Sequence, residues 1–321
     1  MNNFNLYALP PGSVLNPFEG YEIPVGDWIE AGVDFLVENF RPVFQAIRWP
    51  VSIGLEGIET GLNAIPPVIF IIIVGLLAWQ IAGRGVGIFS YIAMLIVGFL
   101  GVWEESMVTL SLVITAVVLC VIVGIPIGIA CARSDKAEQI IRPILDAMQT
   151  LPTFVYLVPV VMLFGIGQVP GVIVTFIFAV PPLIRLTNIG IRQVSPEVVE
   201  AAQAFGSTPN QVLWEAQIPL AMPTILAGVN QSIMMALSMV VVASMIAVEG
   251  LGQMVLRGIG RLDIALASTG GIGIVLVAVM LDRITQAAAK SNNSKLSWKE
   301  RGPIGALLPL LSTKKGEEIT R

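Results

Sequence analysis

Apolar runs of membrane-spanning length follow one another from Pro66 onward, separated by polar breaks. A helix needs about 20 mostly apolar residues to cross the hydrocarbon core of a bilayer. The chain therefore reads as an all-α polytopic membrane protein with about seven transmembrane helices. The breaks between the first three are so short that these helices should pack as hairpins. The predicted spans are 66–82, 86–103, 107–131, 143–166, 169–188, 222–247 and 264–283.

The chain before the first span, residues 1–65, has a different pattern. Its first sixty residues carry eight acidic and two basic side chains, interleaved with apolar residues at roughly helical spacing. It lacks the basic segment and following apolar run of a cleavable signal peptide. The pattern predicts an extracytoplasmic, interfacial amphipathic segment.

The spans divide the rest of the chain into three parts. Residues 66–106 hold two accessory helices, and 107–285 form the core domain. Residues 286–321 are polar and basic, which predicts a flexible cytoplasmic tail.

Composition removes several classes of function. Hydrophobic residues make up 55% of the chain and charged residues 12%, whereas soluble domains carry about 25% charged residues. Histidine is absent, which excludes histidine general bases and metal ligands. Cys120 and Cys131 lie in or beside one apolar segment and are interpreted as inert buried residues. We therefore expect no catalytic residue and no metal site.

The basic residues orient the predicted bundle. With seven spans, fourteen of the eighteen Lys and Arg residues fall on one side of the membrane. Cytoplasmic loops carry such an excess of positive charge. This places the N-terminus outside and the C-terminus inside.

The stretch 195–219, between the fifth and sixth spans, is helix-forming but too polar to insert. Ser195 and Thr208 are each followed by proline, the pattern of a helix N-cap and first position. Gly206 lies between them, where it can end the first helix. We expect a helix, a tight break and a second helix on the cytoplasmic face, arranged as a docking element.

This loop resembles the EAA signature of permease subunits of ATP-binding cassette (ABC) importers. Glu200-Ala201-Ala202 is followed at the family spacing by Gly206 and then by Pro219. Ala216 and Ile218 replace the isoleucine and leucine of the family pattern, so the register is kept. The resemblance implies that Glu200, Ala201, Ala202, Gly206 and Pro219 belong to a coupling loop, 190–221, that docks on an ATPase.

Further stretches (145–171, 181–188, 219–231 and 250–265) resemble glycine betaine/proline betaine permeases, and the likeness runs from about 24 to 286. It implies the type I importer fold, a homodimer in the bacterial inner membrane among membrane lipids, and a solute-binding protein that is periplasmic or surface-anchored. ATP and Mg would be bound by the ATPase subunit, since this chain lacks the G-x-x-x-x-G-K-[ST] phosphate loop. No enzyme activity and no nucleic-acid partner are expected.

Two polar helix faces are candidates for the substrate path. On the fourth span, five residues recur at offsets of three or four, and a comparable face occurs on the sixth span. Polar groups at membrane depth either face a water-filled path or bond neighbouring helices, and both interpretations stay open. The pathway candidates are Gln149, Thr153, Tyr156, Gln231, Met234 and Ser238, beside Asp146, Thr150, Asn230 and Met235 on the same faces.

Other residues favour structural interpretations. Gly124 and Gly128 in the third span predict close helix packing. Asp282 and Arg283 end the last span, where interfacial anchoring is the usual role.

Two other classes of membrane protein remain as alternatives. An ion-coupled secondary transporter or a channel usually needs intramembrane charges, and secondary transporters often show inverted repeats. Here the span interiors carry almost no charge and no repeat is visible. A non-transporting assembly factor would leave the organised loop unexplained.

Overall fold

The structure is a computed structural model that describes residues 24–291 and Pro303. Within this part of the chain the regular elements are all helical. The expectations for residues 1–23, and for most of the tail beyond 291, fall outside the described residues.

Twelve α-helices are formed by the described residues. They are joined by a 3₁₀ turn (Thr153–Tyr156) between α5 and α6, a π turn (Val212–Gln217) between α9 and α10, and a 3₁₀ turn (Ser244–Ile246) after α10. The helices are α1 (Val25–Asn63), α2 (Pro67–Ala82), α3 (Arg84–Phe99), α4 (Trp103–Arg133), α5 (Asp135–Thr150), α6 (Leu157–Phe164), α7 (Gln168–Arg192), α8 (Pro196–Ala204), α9 (Pro209–Gln211), α10 (Ile218–Ala243), α11 (Leu251–Arg261) and α12 (Ile264–Ser291).

Four continuous helical segments of the described chain are long and apolar enough to cross a membrane: α4, α7, Pro209–Ile246 and Ile264–Ala288. Two bent pairs, α1 with α2 and α5 with α6, bring the number to six if each pair forms one span, and α3 is a shorter apolar helix. Every predicted span therefore coincides with helix, although not every span is one straight helix.

The predicted span 143–166 is broken. The chain bends by 102° between α5 and the segment that contains α6. Leu151 is extended, with φ −69° and ψ 137°, because the ring of Pro152 disfavours helical geometry in the residue before it. The assumption of one continuous helix through this region is wrong, so offsets of three and four cannot be carried across the break.

The described part of the amphipathic segment before the first span consists mainly of one helix, α1, of 39 residues. Its C-terminal part packs against α4 and buries Val51 and Leu55. Its N-terminal part exposes large apolar side chains such as Trp28 and Phe35. α1 meets α2 at 103° across a break of three residues, and its interfacial position remains a prediction.

The accessory helices pack as one hairpin. α2 and α3 lie against each other, as expected, but α3 makes more extensive contact with α12 than with α4. The region between the predicted sixth and seventh spans is largely the helix α11. Its start is fixed by the Leu251 N–H, which donates to Thr109 Oγ1 of α4 at 2.9 Å.

The centre of the fold is the packing of α7 between α4 and α10. A Cβ at Gly128 would lie 2.5 Å from Thr187 Cβ, and one at Gly228 would lie 3.2 Å from Leu183 Cα. Small residues let helix axes approach closely, which raises dispersion contact in a membrane where no hydrophobic effect drives helix association. The buried Ser232 hydroxyl adds a hydrogen bond of 2.6 Å to the Ala179 carbonyl. The packing role predicted for Gly124 and Gly128 agrees with this contact.

We predict that Gly128→Ala lowers the midpoint of thermal unfolding, because the new methyl group would overlap Thr187 and the backbone of α7. Overpacking of this kind costs about 1–3 kcal/mol. Gly271→Ala on α12 is the matched control, since its Cβ meets nothing within 4 Å and alanine favours helix by about 1 kcal/mol. Tryptophan fluorescence of the detergent-solubilised protein measures both; equal midpoints for the two variants would contradict this packing.

Candidate functional site

The polar loop folds as a helix, a break and a second helix, as the sequence predicts. α8 begins at Pro196 and contains no buried residue. Glu200 and Ala201 are exposed, and Ala202 is half-buried where α8 contacts the π turn. Three side chains of the predicted coupling motif thus lie on one short surface helix.

Gly206 makes the break. Its φ is +88°, a left-handed conformation that glycine adopts without steric cost. The Gly206 N–H donates to the Gln203 carbonyl at 2.9 Å, and the Ser207 N–H donates to the Ala202 carbonyl at 3.1 Å. These bonds satisfy carbonyls at the end of α8, so the turn is tight and well defined.

The second helix begins with a capping box. The Thr208 N–H donates to Gln211 Oε1 at 2.8 Å, and the Gln211 N–H returns a bond to Thr208 Oγ1 at 3.4 Å. Pro209 occupies the first helical position. Val212 and Leu213 are buried and hold this end of the loop to the bundle.

The second helix of the loop is not separate from the sixth span. Helix runs without a break from Pro209 to Ile246, so the helix that contains the sixth span begins well before the predicted residue 222. A π turn ends at Gln217, two residues before Pro219, and the Ile218 N–H donates to the Leu213 carbonyl five residues back. Proline has no N–H to continue the normal bonding pattern, which is a usual reason for such a bulge. Pro219 therefore belongs to the same continuous helix as the rest of α10.

Two exposed aromatic residues flank the break. Phe205 is 92% exposed and Trp214 is 62% exposed. Both are large apolar side chains on the surface of an otherwise largely polar loop. The motif pattern does not include them; the signal in the sequence is an aromatic residue on either side of Gly206 in an otherwise polar stretch.

An ionic network fixes the chain where it enters this loop. Arg192, the last residue of α7, bonds Asp135 Oδ1 at 2.7 Å and Glu138 Oε2 at 3.1 Å, both on α5. Its guanidinium also donates to the Cys131 carbonyl of α4 at 2.8 Å. One side chain thus joins the ends of three helices. No local pattern in the sequence indicates this network, because Arg192 lies more than fifty residues from its partners in the chain.

The buried Asn188 amide completes the network. Its Nδ2 donates to Glu138 Oε1 at 3.0 Å, and its Oδ1 accepts from Arg192 Nε at 2.9 Å. Next to it, Arg185 pairs with Asp146 at 2.5 Å across a cleft of about 340 Å³ between α5 and α7. Asp146 therefore has a structural partner, which is consistent with its position near the end of the span.

The two helices that carry the candidate pathway residues come into contact through the turn between α5 and α6. The 3₁₀ turn that contains Thr153 contacts α10. Gln149 and Thr153 are half-buried, on either side of the break. The side chain of Tyr156 lies outside the described residues, so its role stays a prediction.

α10 carries an exposed stripe of neutral residues. Gln231, Met234 and Ser238 are exposed, and Ala227 and Met245 extend the same face. Met235 is half-buried and packs against the core. Asn230 instead faces α12, where it bonds Asp282 at 3.3 Å and the Thr285 hydroxyl. Asp282 thus serves helix packing, beyond the anchoring role expected for it.

Metal ligands do not cluster in the part of the chain that the structure describes: no three of its Asp, Glu and Cys side chains are placed to hold one ion. The arrangement combines an exposed helix–break–helix loop, an ionic network at the ends of α4, α5 and α7, and an exposed neutral face on α10.

We predict that Arg192 and Glu138 are energetically coupled. A double-mutant cycle with Arg192→Gln and Glu138→Gln should give a coupling of about 1 kcal/mol in thermal or denaturant unfolding, modest because both side chains are about one-third exposed. Arg133→Gln with Glu138→Gln is the control cycle, since Arg133 lies just beyond Cys131 on α4 without an ion pair in the described structure. Additive effects in both cycles would show that the network does not hold the helices together.

Comparison with known proteins agrees with this architecture. Residues 124–295 match the family model described as binding-protein-dependent transport system inner membrane component. The chain is 54% identical over 297 residues to the glycine betaine/proline betaine transport system permease protein ProW of Escherichia coli K12, covering 92% of this chain and 84% of that protein. It is 46% identical to the glycine betaine transport system permease protein OpuAB of Bacillus subtilis 168, covering 87% and 97%.

Among solved structures, the fold is similar to that of the MetNI methionine ABC transporter in an inward-facing conformation. The TM-score is 0.54 at 16% identity, covering 58% of this chain and 94% of that chain. This likeness concerns the fold, which is that of a type I ABC importer permease. With the loop geometry and the family match, it follows that the chain belongs to the binding-protein-dependent transport system inner membrane components, the permease subunits of ABC importers.

Proposed function

We propose that this chain forms the translocation path of an ATP-driven importer of a quaternary-ammonium compatible solute of the glycine betaine or proline betaine type. The observation that carries the solute class is the near full-length similarity to permeases named for these betaines. ATP and Mg are bound by a separate ATPase subunit, and a binding protein delivers the solute.

The ATPase docks on the loop 195–219. Glu200, Ala201 and Ala202 form a surface on α8 that a partner can approach closely. Gly206 sets the angle between α8 and the helix that leads back to the bundle. Phe205 and Trp214 provide apolar anchors for the partner. When the ATPase displaces this loop, the displacement is transmitted to α7 and α5 through Arg192. It is transmitted to α10 through the continuous helix at Pro219.

The solute passes along the neutral stripe of α10 and the region around Thr153. A betaine has a fixed positive charge that cannot donate hydrogen bonds, so full negative charges would retain it, whereas aromatic faces attract it by about 0.5–2 kcal/mol. Gln149, Thr153, Tyr156, Gln231, Met234 and Ser238 supply neutral and aromatic groups. We propose that a second copy of the chain closes the path opposite this stripe.

The test of the function is uptake by the reconstituted complex. The chain is co-expressed with its ATPase subunit, reconstituted in proteoliposomes, and supplied with binding protein and labelled glycine betaine. ATP inside the proteoliposomes should drive uptake when the ATPase faces that side. ATP-independent uptake driven by an ion gradient would instead favour a secondary transporter.

We predict that Phe205→Ala weakens association with the ATPase by about tenfold or more, the loss typical of an aromatic hot spot. Phe99→Ala is the matched control, because Phe99 is 89% exposed but lies at the end of α3, away from the loop. The measurement is the amount of ATPase that co-purifies with the intact permease at graded ATPase concentrations. Equal retention by both variants would exclude Phe205 from the interface.

We predict that Ser238→Cys reacts with a methanethiosulfonate reagent that carries a trimethylammonium group, and that glycine betaine slows the reaction. Both native cysteines are buried, which keeps the background low. Ile122→Cys on α4 is the control: Ile122 is 61% exposed, but in a bilayer it should face lipid, which a charged reagent does not enter.

The reaction is measured by mass spectrometry on the transporter in membranes. Equal reactivity at positions 122 and 238, or no protection by glycine betaine, would remove the α10 stripe from the path.

A further inference from the structure

A groove lies between the two accessory helices, outside the docking loop and the candidate path. It has a volume of about 340 Å³ between α2 and α3. Its walls are apolar, and one charged residue belongs to its lining. The principal lining residues are Ile72, Leu76, Trp79, Arg84, Ile88 and Tyr91.

Two glycines bring α2 and α3 into direct contact along the floor of the groove, and larger side chains beside that line form its open side. Gly87 lies so close to α2 that a Cβ there would come within 2.6 Å of Trp79 Cβ, and a Cβ at Gly75 would lie 3.4 Å from Tyr91 Cβ. The two helices therefore touch along this line. The longer side chains of Ile72, Leu76 and Ile88 stand outward beside it and are exposed, so the groove opens away from the protein core.

Arg84 stands at the turn of the hairpin. Its guanidinium carbon lies 5.6 Å from the centroid of the Trp79 ring. It forms no ion pair with the acidic residues of the described chain. Arg84 is also the first residue of α3, where backbone N–H groups lack acceptors within the helix and favour an anion.

We propose that this groove binds an anionic phospholipid, with an acyl chain along the apolar walls and the phosphate at Arg84. α2 carries no charged residue, so we place the hairpin of α2 and α3 in the bilayer. The basic-residue count places the turn at the cytoplasmic leaflet, where anionic lipids attract basic side chains. A neighbouring transmembrane polypeptide could cover the apolar walls, but it would match the charge of Arg84 only by placing an acidic side chain at the same level.

The proposal is independent of the solute and of the ATPase, so its test needs neither. The full chain is placed in nanodiscs that contain equal amounts of phosphatidylethanolamine and phosphatidylglycerol, and retained lipids are identified by native mass spectrometry after release. The wild-type protein should retain phosphatidylglycerol in preference to phosphatidylethanolamine. Arg84→Gln should reduce that preference about fivefold, the effect of one basic residue near an anionic surface. Arg133→Gln, which removes a charge outside the groove, should leave it unchanged.

A second pair of variants separates the groove from the charge. Ile88→Trp fills the groove and should lower retention of both lipids, whereas Ile92→Trp, one turn away on the same helix and outside the groove, should not. Equal preference in Arg84→Gln and Arg133→Gln would overturn the proposal. The proposal would also be overturned if Ile88→Trp left lipid retention unchanged but removed a co-purified polypeptide or a second copy of the chain.

Discussion

The close approach of α7 to α4 and α10 is the constraint on which the rest of the structure depends. In a bilayer, apolar side chains gain nothing by leaving lipid for protein, so helices associate through dispersion contact and internal hydrogen bonds. Gly128 and Gly228 allow backbone atoms of neighbouring helices to touch. Larger residues there would separate the three helices, and every element attached to their ends would move with them.

The position of the loop 195–219, the proposed docking loop, depends on this packing. Arg192 ends α7 only three residues before Ser195, and its guanidinium bonds groups on α4 and α5. At the far end of the loop, buried Leu213 and the continuous helix through Pro219 lead into α10. Both ends of the loop are therefore joined to the same three-helix core. A partner that moves the loop as a unit moves the core helices, which is the mechanical requirement for coupling.

Two prolines, Pro152 and Pro219, lie beside two different deviations from regular helical geometry. Pro152 separates α5 from α6 and turns the chain by about a right angle, while Pro219 follows a π turn without interrupting the helix. The difference lies in the preceding residue: Leu151 is extended, whereas Ile218 stays helical. Pro152 thus interrupts a helix near the candidate path, whereas the helix stays continuous at Pro219.

The sequence alone determined the features that depend on short stretches of chain. Apolar run length located the helices. Gly206 between two polar helix-forming stretches predicted the break that the structure shows, and proline after Ser195 and Thr208 marked helix starts that the structure reproduces. Tertiary structure alone decided which polar residues meet. Asn230 turns toward Asp282 while its neighbour Gln231 stays exposed, and Arg192 finds partners more than fifty residues away. Helical spacing fixes the face on which a side chain lies, but the helix that covers that face depends on packing distributed over the whole bundle.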